Sequence, residues 1–495
     1  MEPQTLCESL RLHARQSPHR IAFHCGEAEI SWSALDDSVT GLARWFLDQG
    51  LQPGDRVAVC SYNSIELVQV CLGLFRAGLI AVTVNTRLKP DEVRYIFDHA
   101  EPKMAFCDPA LMATLEQAGV ACPIFDRLPD PPPKGEGARA LPAIGTDRPS
   151  VIIYTSGTTA RPKGVMHTQG SLFQKGVKAA PISPSAPDLV RLCFLPMMHV
   201  SGLWFLSGSI YQGAFTVLLP RFDAAEVLDA VERFGVTTMG GLPTMIQAMV
   251  EEQARQPRKA ATLRSVISGG DVASPALQDR FLALFGTELL EIYGMTELCA
   301  ICANPAGGVR PGSVGPPLGG IDVRAVDDQG RPLAEGEIGE IVARSSSAFS
   351  AYWNDPEATR SALANGWVHT GDLGSVDADG YVWFKGRKKE IIIRAGSNIS
   401  PQEVEDVLYG HPAVLEAGVI GVPDPDTGER VAAFVVLRQG HVADAETLRQ
   451  FARQHIADYK APEDIHFLDS LPKNAVGKVQ RRALRDIPID ARVAP

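Results

Sequence analysis

A short run of hydroxyls, glycines and cations follows the apolar residues 151–153. Between residues 155 and 164 the chain carries four aliphatic hydroxyls, two glycines and two cations. Such a loop can offer backbone N–H groups, hydroxyl donors and positive charge to a polyphosphate. It is not the G-x-x-x-x-G-K-[ST] loop, because no Ser or Thr follows Lys163 and Gly164 in register. By itself the run is equally compatible with a polar turn after a strand.

Six further segments combine glycine or proline with residues that bind anions, ligate cations or transfer protons. Glycine lets a backbone approach a ligand closely, and loops of this kind commonly carry function. The segments are residues 195–202, 268–271, 291–297, 367–374, 384–390 and 471–478.

The composition is that of a globular protein: 495 residues, 45% hydrophobic and 21% charged, with a formal net charge of −11. The length exceeds what one core supports, so two or more domains are expected. The negative charge argues against a nucleic-acid-binding protein, and an anionic substrate would need Lys and Arg concentrated locally. Because no apolar run of signal-peptide or membrane-span length occurs, we expect a soluble cytoplasmic protein.

Nine cysteines, an odd and scattered set, argue against a disulfide framework. Cys299 and Cys302 have C-x-x-C spacing, but a zinc site would need a second pair, and the sequence has none. The favoured interpretation of this pair is apolar packing or the lining of a pocket.

The first third of the chain alternates strand-like and helix-like patterns. Strands are predicted at 56–60 and 78–84, with a helix over 66–77 between them. This alternation favours parallel sheets with crossover helices. Residues 128–137, rich in Pro and Gly, are interpreted as a surface loop rather than a domain linker.

A domain boundary is predicted between residues 386 and 387, with strand patterns on either side. Beyond it, Ser400 can cap a helix whose first turn holds Pro401 and Glu403, and Gly410 can end that helix. A later helix is expected to begin after Asp444. The predicted fold class is therefore α/β, with a large N-terminal domain of mixed sheets over 1–386 and a small α+β domain over 387–495.

Taken in order, the segments from Tyr154 to Lys478 resemble the adenylate-forming superfamily of acyl-CoA synthetases, peptide-synthetase adenylation domains and firefly-type luciferases. Any one segment is a moderate signal, whereas the whole series is very specific. The resemblance implies that a carboxylate attacks the α-phosphate of ATP, expels pyrophosphate and forms an acyl-adenylate. It also implies a C-terminal domain that rotates between two half-reactions.

The resemblance assigns a role to each match in the ATP site. Thr296 would contact the α-phosphate, Glu297 would ligate Mg²⁺, and Lys478 would be the catalytic lysine of adenylation. Tyr293 would offer its ring to adenine, and Asp372 with Arg387 would hold the ribose. The residues implied to bind the remaining parts of ATP are Thr155, Ser156, Gly157, Thr158, Thr159, Lys163, Gly270 and Asp271.

Other matches concern the acid, the thiol and the hinge. His199, Gly241 and Gly294 are the residues implied to border the acid, and Gly240 and Gly241 would leave room for a broad group. Gly396 matches the glycine that lines the thiol tunnel, where a side chain would block the thiol. Lys388 matches the hinge. The ordinary alternatives are a satisfied structural histidine for His199 and a plain turn glycine for Gly396.

Two positions depart from the family pattern. Ala160 stands where the family usually has glycine; if that position needs a positive φ, Ala costs about 1 kcal/mol. Asp271 replaces the small residue common in acyl-CoA synthetases, and either a contact with the adenine amine or a role in shaping the acid pocket is open.

The sequence thus predicts an ATP-dependent carboxylic acid–CoA ligase that uses Mg²⁺ and acts on an aryl or medium-chain aliphatic acid. Residues 195–205 contain no Asp or Glu to hold an α-ammonium group, which disfavours an amino acid. The alternatives are a ligase that loads a carrier protein, a luciferase-like oxygenase and a non-catalytic relative. A homodimer is left open.

Overall fold

The computed structural model describes residues 2–128, 140–155, 162–183, 188–474 and 479–487. Within these ranges the chain forms four β-sheets of eight, seven, five and five strands, with helices between and outside them. None of the described helices has the length and apolarity to cross a bilayer.

The elements of the first half alternate along the chain as the sequence predicts. In order they are α1 (Leu6–Gln16), β1 (Ile21–Cys25), β2 (Ala28–Ser31), α2 (Trp32–Asp48), β3 (Arg56–Cys60), α3 (Ile65–Ala77), β4 (Ile80–Thr83), α4 (Pro90–Ala100), β5 (Met104–Cys107), α5 (Met112–Ala118), β6 (Ile124–Phe125), β7 (Pro149–Thr155), β8 (Lys163–Thr168), α6 (Gln169–Ala179), β9 (Val190–Cys193), α7 (Val200–Gln212), β10 (Phe215–Leu218), α8 (Ala224–Phe234), β11 (Thr238–Gly241) and α9 (Pro243–Arg255).

The second half is richer in strands. In order its elements are β12 (Ser265–Gly269), α10 (Pro275–Phe285), β13 (Leu289–Met295), β14 (Cys299–Ala303), β15 (Ile321–Val326), β16 (Gly339–Ser345), β17 (Ala351–Tyr352), α11 (Pro356–Ala362), β18 (Leu363–Ala364), β19 (Trp367–Val376), β20 (Val382–Arg387), β21 (Ile392–Arg394), β22 (Ser397–Ile399), α12 (Pro401–Tyr409), β23 (Val414–Asp424), β24 (Gly428–Leu437), α13 (Ala445–His455), β25 (Asp464–Phe467) and α14 (Arg481–Arg485). Short 3₁₀ turns lie at Pro109–Leu111 and Asp458–Lys460.

Two large sheets form the body of the molecule. The eight-stranded sheet has the order β14-β13-β12-β11-β9-β10-β1-β2, and the seven-stranded sheet has the order β17-β8-β7-β4-β3-β5-β6. The central strands of both are parallel, while β13–β14 and β7–β8 are antiparallel pairs. Long helices provide the parallel crossovers, which agrees with the prediction from the alternating pattern.

One apolar core joins the two large sheets through the helices between them. It includes Val57 and Ile153 from the seven-stranded sheet, Phe23 and Ile267 from the eight-stranded sheet, and residues of α2, α3, α6 and α7. Separate clusters lie under α8–α10 on the outer face of the larger sheet and under α4–α5 on the outer face of the smaller one. The layers therefore read helix, sheet, helix, sheet, helix, and both sheets are buried on two faces.

The third sheet, β15-β16-β19-β18 with β20 beside β19, is antiparallel and ends at Arg387. That residue is one past the predicted boundary. The fourth sheet, β22-β21-β24-β23 with β25 beside β24, has its own core and its own helices α12 and α13. Here the predicted helix caps are present: Ser400 accepts from the backbone of Glu403, and Asp444 accepts from Thr447.

Candidate active site

A buried carboxylate lies at the centre of the candidate nucleoside site. Asp372, on β19, accepts a hydrogen bond from the Tyr293 hydroxyl with an O–O distance of 2.6 Å. Its other oxygen lies 3.6 Å from Nε of Arg387, which is its register partner on β20. The structure thus brings together three residues that are separated by up to 94 positions in the sequence. A carboxylate retains acceptor capacity beyond these two partners, as a ribose diol would require.

The Tyr293 ring is itself buried. It lies 6.0 Å from the Phe384 ring, centroid to centroid, on the strand that leads to Arg387. Burial, together with the neighbouring Asp372 charge, raises the pKa of the Tyr293 hydroxyl well above its ordinary value. Tyr293 therefore remains a neutral donor that orients Asp372.

The predicted metal ligand lies in a tight connection between β13 and β14. A Cβ on Gly294 would meet the carbonyl oxygen of Cys299 at 1.9 Å, so only glycine fits there. Cys299 has a φ of +70°, a left-handed conformation that is rare for a residue with a side chain. Between these two positions, the Glu297 carboxylate accepts a hydrogen bond from the Tyr352 hydroxyl at 2.6 Å.

Tyr352 is a site residue that the sequence analysis missed. It lies on β17, 55 positions after Glu297, and no local pattern connects the two. The Lys163 ammonium sits 4.8 Å from the centroid of the same ring, which is cation–π distance. Glu297, Tyr352 and Lys163 therefore form one connected group.

Part of the predicted phosphate loop and the predicted catalytic lysine lie outside the described residues. Those outside are Ser156, Gly157, Thr158, Thr159, Ala160 and Lys478. The ends of the loop are described: Thr155 ends β7, Lys163 begins the antiparallel strand β8, and the two residues are register partners. The loop is thus a hairpin connection whose base lies beside Tyr352.

Asp271 lies where the two parts of the chain meet. It is exposed, and Gly270 before it has a φ of +89°. The Asp271 charge acts on Glu405 and Asp406 of α12 and on Arg481 of α14. This placement favours neither the adenine contact nor the acid-pocket role, and it makes Asp271 a residue of the contact between the domains.

The C-terminal domain contains a cluster of largely buried charges. Arg481 donates to both oxygens of Glu405, at 3.1 and 2.6 Å, and to Glu390 at 2.8 Å. Burial raises the pKa of Glu405 to about 7 and that of Asp406 to about 6, and the nearby Asp271 charge adds to both shifts.

The predicted hinge residue is anchored to the N-terminal domain. The Lys388 ammonium lies 2.8 Å from Asp328 and 3.8 Å from Glu340, and its backbone N–H donates to Gly371 O. The Asp328 carboxylate raises the pKa of Lys388. The hinge position is therefore held by ion pairs at the surface rather than by apolar packing.

His199 is the N-cap residue of helix α7. Its Nδ1 accepts from the backbone of Ser201 and lies 2.9 Å from the Ser201 hydroxyl. The structure therefore shows a helix-capping role for this side chain. Apolar residues around it are buried, among them Met197, Met198, Trp204 and Phe205.

Gly241 does not face the helix that His199 begins. A Cβ there would touch Phe194, Met245 and Ile246 at 3.4 Å, in the cluster under α8–α10. The preceding glycine, Gly240, faces α7 instead, with Phe205 3.0 Å from its Cβ position. Side chains alternate between the faces of a strand, so Gly240 and Gly241 face different cores, and their role at the acid stays a prediction.

Gly396 is exposed at the tip of the β21–β22 hairpin, and no atom lies within 4 Å of its Cβ position. With Ala395 at φ +47° and Gly396 at φ +80°, the two-residue turn accounts for the glycine. The role of Gly396 in the thiol tunnel stays a prediction.

Cys299 and Cys302 are buried and free. Among the described residues no three His, Cys, Asp or Glu side chains converge to hold a metal ion. The burial of both side chains fits the packing interpretation.

The architecture and the site define an enzyme of the AMP-binding class. The AMP-binding enzyme family matches residues 10–353, and the AMP-binding enzyme C-terminal domain matches residues 403–478. The chain belongs to this family, the adenylate-forming superfamily, and is an AMP-forming acid–thiol ligase.

Three relatives illustrate the family. The fatty acid–[acyl-carrier-protein] ligase ScoC of Streptomyces coeruleorubidus is 33% identical over 98% of this chain and 96% of its own. The indoleacetate–CoA ligase of Aromatoleum aromaticum is 34% identical over 97% and 98%. The o-succinylbenzoate CoA synthetase of Bacillus subtilis has been solved with its acyl-adenylate, OSB-AMP, and with ATP and magnesium. The OSB-AMP complex has a TM-score of 0.87 at 29% identity and covers 98% of this chain and 99% of that one.

Replacing Asp372 by Asn tests the nucleoside site. The change removes the charge facing Arg387, and hydrogen bonds to charged groups contribute about 1.5–3 kcal/mol each. We expect the affinity for ATP to fall about 10- to 150-fold, as measured by calorimetric titration. Tyr293→Phe should give a smaller loss. Tyr381→Phe is the matched control, since that hydroxyl donates to Gly308 O away from the site; an equal loss in the control would contradict the assignment.

Replacing Glu291 by Gln tests the buried acid beside the site. Burial raises the pKa of Glu291 to about 8 in the folded protein, against about 4.3 for an unperturbed Glu. Its contribution to stability is therefore greatest at low pH and is lost as the pH rises toward 8. We expect the Tm of the variant to fall less than the Tm of the wild type when the pH is raised from 6 to 8.5. Asp279→Asn, an exposed site on α10, should keep the wild-type pH dependence.

Proposed function

We propose that this protein is an ATP-dependent carboxylic acid–CoA ligase that forms an acyl-adenylate and then a CoA thioester, releasing pyrophosphate and then AMP. The observation that carries the proposal is that two clusters form on one short segment, 293–297, of a chain of this family. One is Asp372 with Tyr293 and Arg387, and the other is Glu297 with Tyr352 and Lys163.

In the first step these residues bind and orient. Asp372 would accept hydrogen bonds from the ribose hydroxyls while Tyr293 keeps the carboxylate oriented. Lys163 and the hairpin loop that ends at it would neutralise the β- and γ-phosphates, and Thr296 would donate to the α-phosphate. ATP and the carboxylate are both bound and oriented before the carboxylate attacks. The entropic cost of bringing these two anions together is therefore met during binding.

Magnesium fits the donors present. Mg²⁺ usually takes one or two protein carboxylates and completes its shell with phosphate and water, and the Glu297 carboxylate is oriented by a single donor, Tyr352. Glu297 would hold the ion, which when bound would neutralise phosphate charge.

The lysine of adenylation is proposed to be Lys478. Arg481, three residues further on, lies within the influence of the Asp271 charge at the edge of the ATP site.

Lys478→Ala separates the two half-reactions. Removing a cation that stabilises developing charge should slow adenylation by about 100-fold or more, measured by pyrophosphate release. Thioester formation from a supplied acyl-adenylate should be largely retained. Lys473→Ala is the control, because that ammonium pairs with Glu416, and equal loss of both half-reactions in Lys478→Ala would refute the assigned role.

The acid is proposed to be an aryl acid or a medium-chain aliphatic acid. Trp204 and Phe205 on α7, together with Met197 and Met198, form a buried apolar neighbourhood that can adapt to different shapes. Gly240 faces this helix, so the Phe205 ring occupies the space that a side chain would take.

A second candidate has a specific observation in its favour. ScoC, which matches along almost the whole of this chain, transfers to an acyl-carrier protein rather than to CoA, as its name states. The protein would then deliver its acyl group to the thiol of a carrier protein.

One incubation distinguishes the two. The purified protein is mixed with ATP, Mg²⁺ and a panel of aryl, aliphatic and amino acids, with CoA, with a phosphopantetheinylated carrier protein, or with neither, and products are identified by mass. We expect a CoA thioester from one acid class. Carrier loading without CoA thioester would favour the second candidate, and adenylate from amino acids alone would refute the proposed acid class.

A further inference from the structure

Three successive backbone carbonyls around Glu297 are each held by a donor from a distant part of the chain. Ordinary turns leave such carbonyls to water or to neighbouring backbone, whereas here the donors come from β8, α6 and the loop before β17. They are His167 Nε2 to Thr296 O at 2.9 Å, Phe349 N to Glu297 O at 2.6 Å, Ser347 Oγ to Leu298 O at 3.2 Å and Lys175 Nζ to Leu298 O at 3.5 Å.

Lys175 is an unusual member of this group. It is 1% exposed in the middle of α6, and its ammonium also donates to Ser347 O at 2.7 Å. No carboxylate among the described residues lies within ion-pair distance of it, and burial lowers its pKa to about 8. Burying a charge without an ion-pair partner costs free energy, so an apolar residue would fill this core position more favourably. The Lys175 ammonium instead donates hydrogen bonds to Leu298 O and Ser347 O.

His167 has a similar character. It is fully buried on β8, and burial lowers its pKa well below the ordinary value, so the ring is neutral. Because Thr296 O can only accept, Nε2 carries the proton. Nδ1 has no partner among the described residues. The ring thus faces the Thr296 carbonyl with its one donor.

The segment that these donors hold is strained. Cys299 is left-handed, and its carbonyl occupies the space that a side chain on Gly294 would need. Such conformations persist where the surroundings determine them fully. The Glu297 carboxylate is held separately from the side by Tyr352. The backbone of residues 296–298 and the Glu297 carboxylate are therefore held by two separate sets of donors.

We propose that Lys175 and His167 are positioning residues for Glu297: they hold the backbone of residues 296–298 from behind, so that the carboxylate is already oriented for the magnesium of ATP before the nucleotide binds. The inference rests on the proposed function, in which Glu297 holds that ion. Partners behind a metal ligand typically change metal affinity or activity about 10–100-fold when removed.

The chain offers a matched control on the same helix. Lys178, three residues after Lys175, is also buried, and its ammonium donates to Gly319 O at 2.6 Å, outside the segment 296–298. Lys175→Met and Lys178→Met each replace a buried ammonium by an apolar side chain of similar length. Lys175→Met alone should change metal binding.

Metal binding is measured with Mn²⁺ by electron paramagnetic resonance, in the presence of a non-hydrolysable ATP analogue. We expect Lys175→Met to weaken Mn²⁺ binding about 10–100-fold, while Lys178→Met keeps the wild-type affinity. His167→Gln retains an N–H near the Nε2 position and should preserve binding, whereas His167→Met should weaken it. This second pair keeps the test decisive should Lys175→Met fail to fold.

The outcomes separate the two levels of inference. Equal Mn²⁺ affinity in Lys175→Met and Lys178→Met, with no difference between the two His167 variants, would overturn the positioning role. Glu297→Gln serves as the reference: if Mn²⁺ binds the wild type and this variant equally well, the assignment of Glu297 itself fails.

Discussion

The buried carboxylate of Asp372 is the point on which the arrangement of the molecule depends. Its side chain is 8% exposed, and its partners lie on two other elements. Tyr293 belongs to the eight-stranded sheet, and Arg387 is the last residue of β20. A carboxylate removed from water must be compensated by hydrogen bonds and opposite charge. Charge balance at one residue therefore fixes the antiparallel sheet against the larger sheet, close to where the C-terminal domain begins.

The same principle operates at the Glu297 turn, but there the backbone is the group that must be satisfied. The turn bends sharply between Gly294 and the left-handed Cys299, and its carbonyls point into the core instead of toward solvent. Buried carbonyls need donors, and α6 and β8 provide them. In this way the packing of helix and sheet also sets the position of the Glu297 backbone.

The join between the domains has a different physical character. Ion pairs at Lys388 and carboxylates near Asp271 dominate it, whereas each domain has its own apolar core. Polar interfaces between domains permit relative motion more readily than apolar ones. Burial raises the pKa of Glu405 to about 7 and that of Asp406 to about 6, so the charge on α12 changes within this pH range.

Local structure could be predicted closely from the sequence. The strand at 56–60, the helix after Ser400 and the helix after Asp444 occur where apolar periodicity and capping residues indicated. The series of glycine-bearing segments identified the family. Side-chain direction was less predictable: Gly240 and Gly241 face different cores, because a shift of one residue in a strand reverses the face.

What the sequence by itself determined is therefore the order of helices and strands, the caps that bound them and the class of chemistry that its loops serve. These follow from interactions among residues a few positions apart. The tertiary structure alone decided that Tyr352 meets Glu297, that Tyr293 meets Asp372 and that a buried lysine on α6 holds Leu298. Those contacts span 55 to 123 positions, and they depend on sheet register and layer packing, which no local pattern encodes.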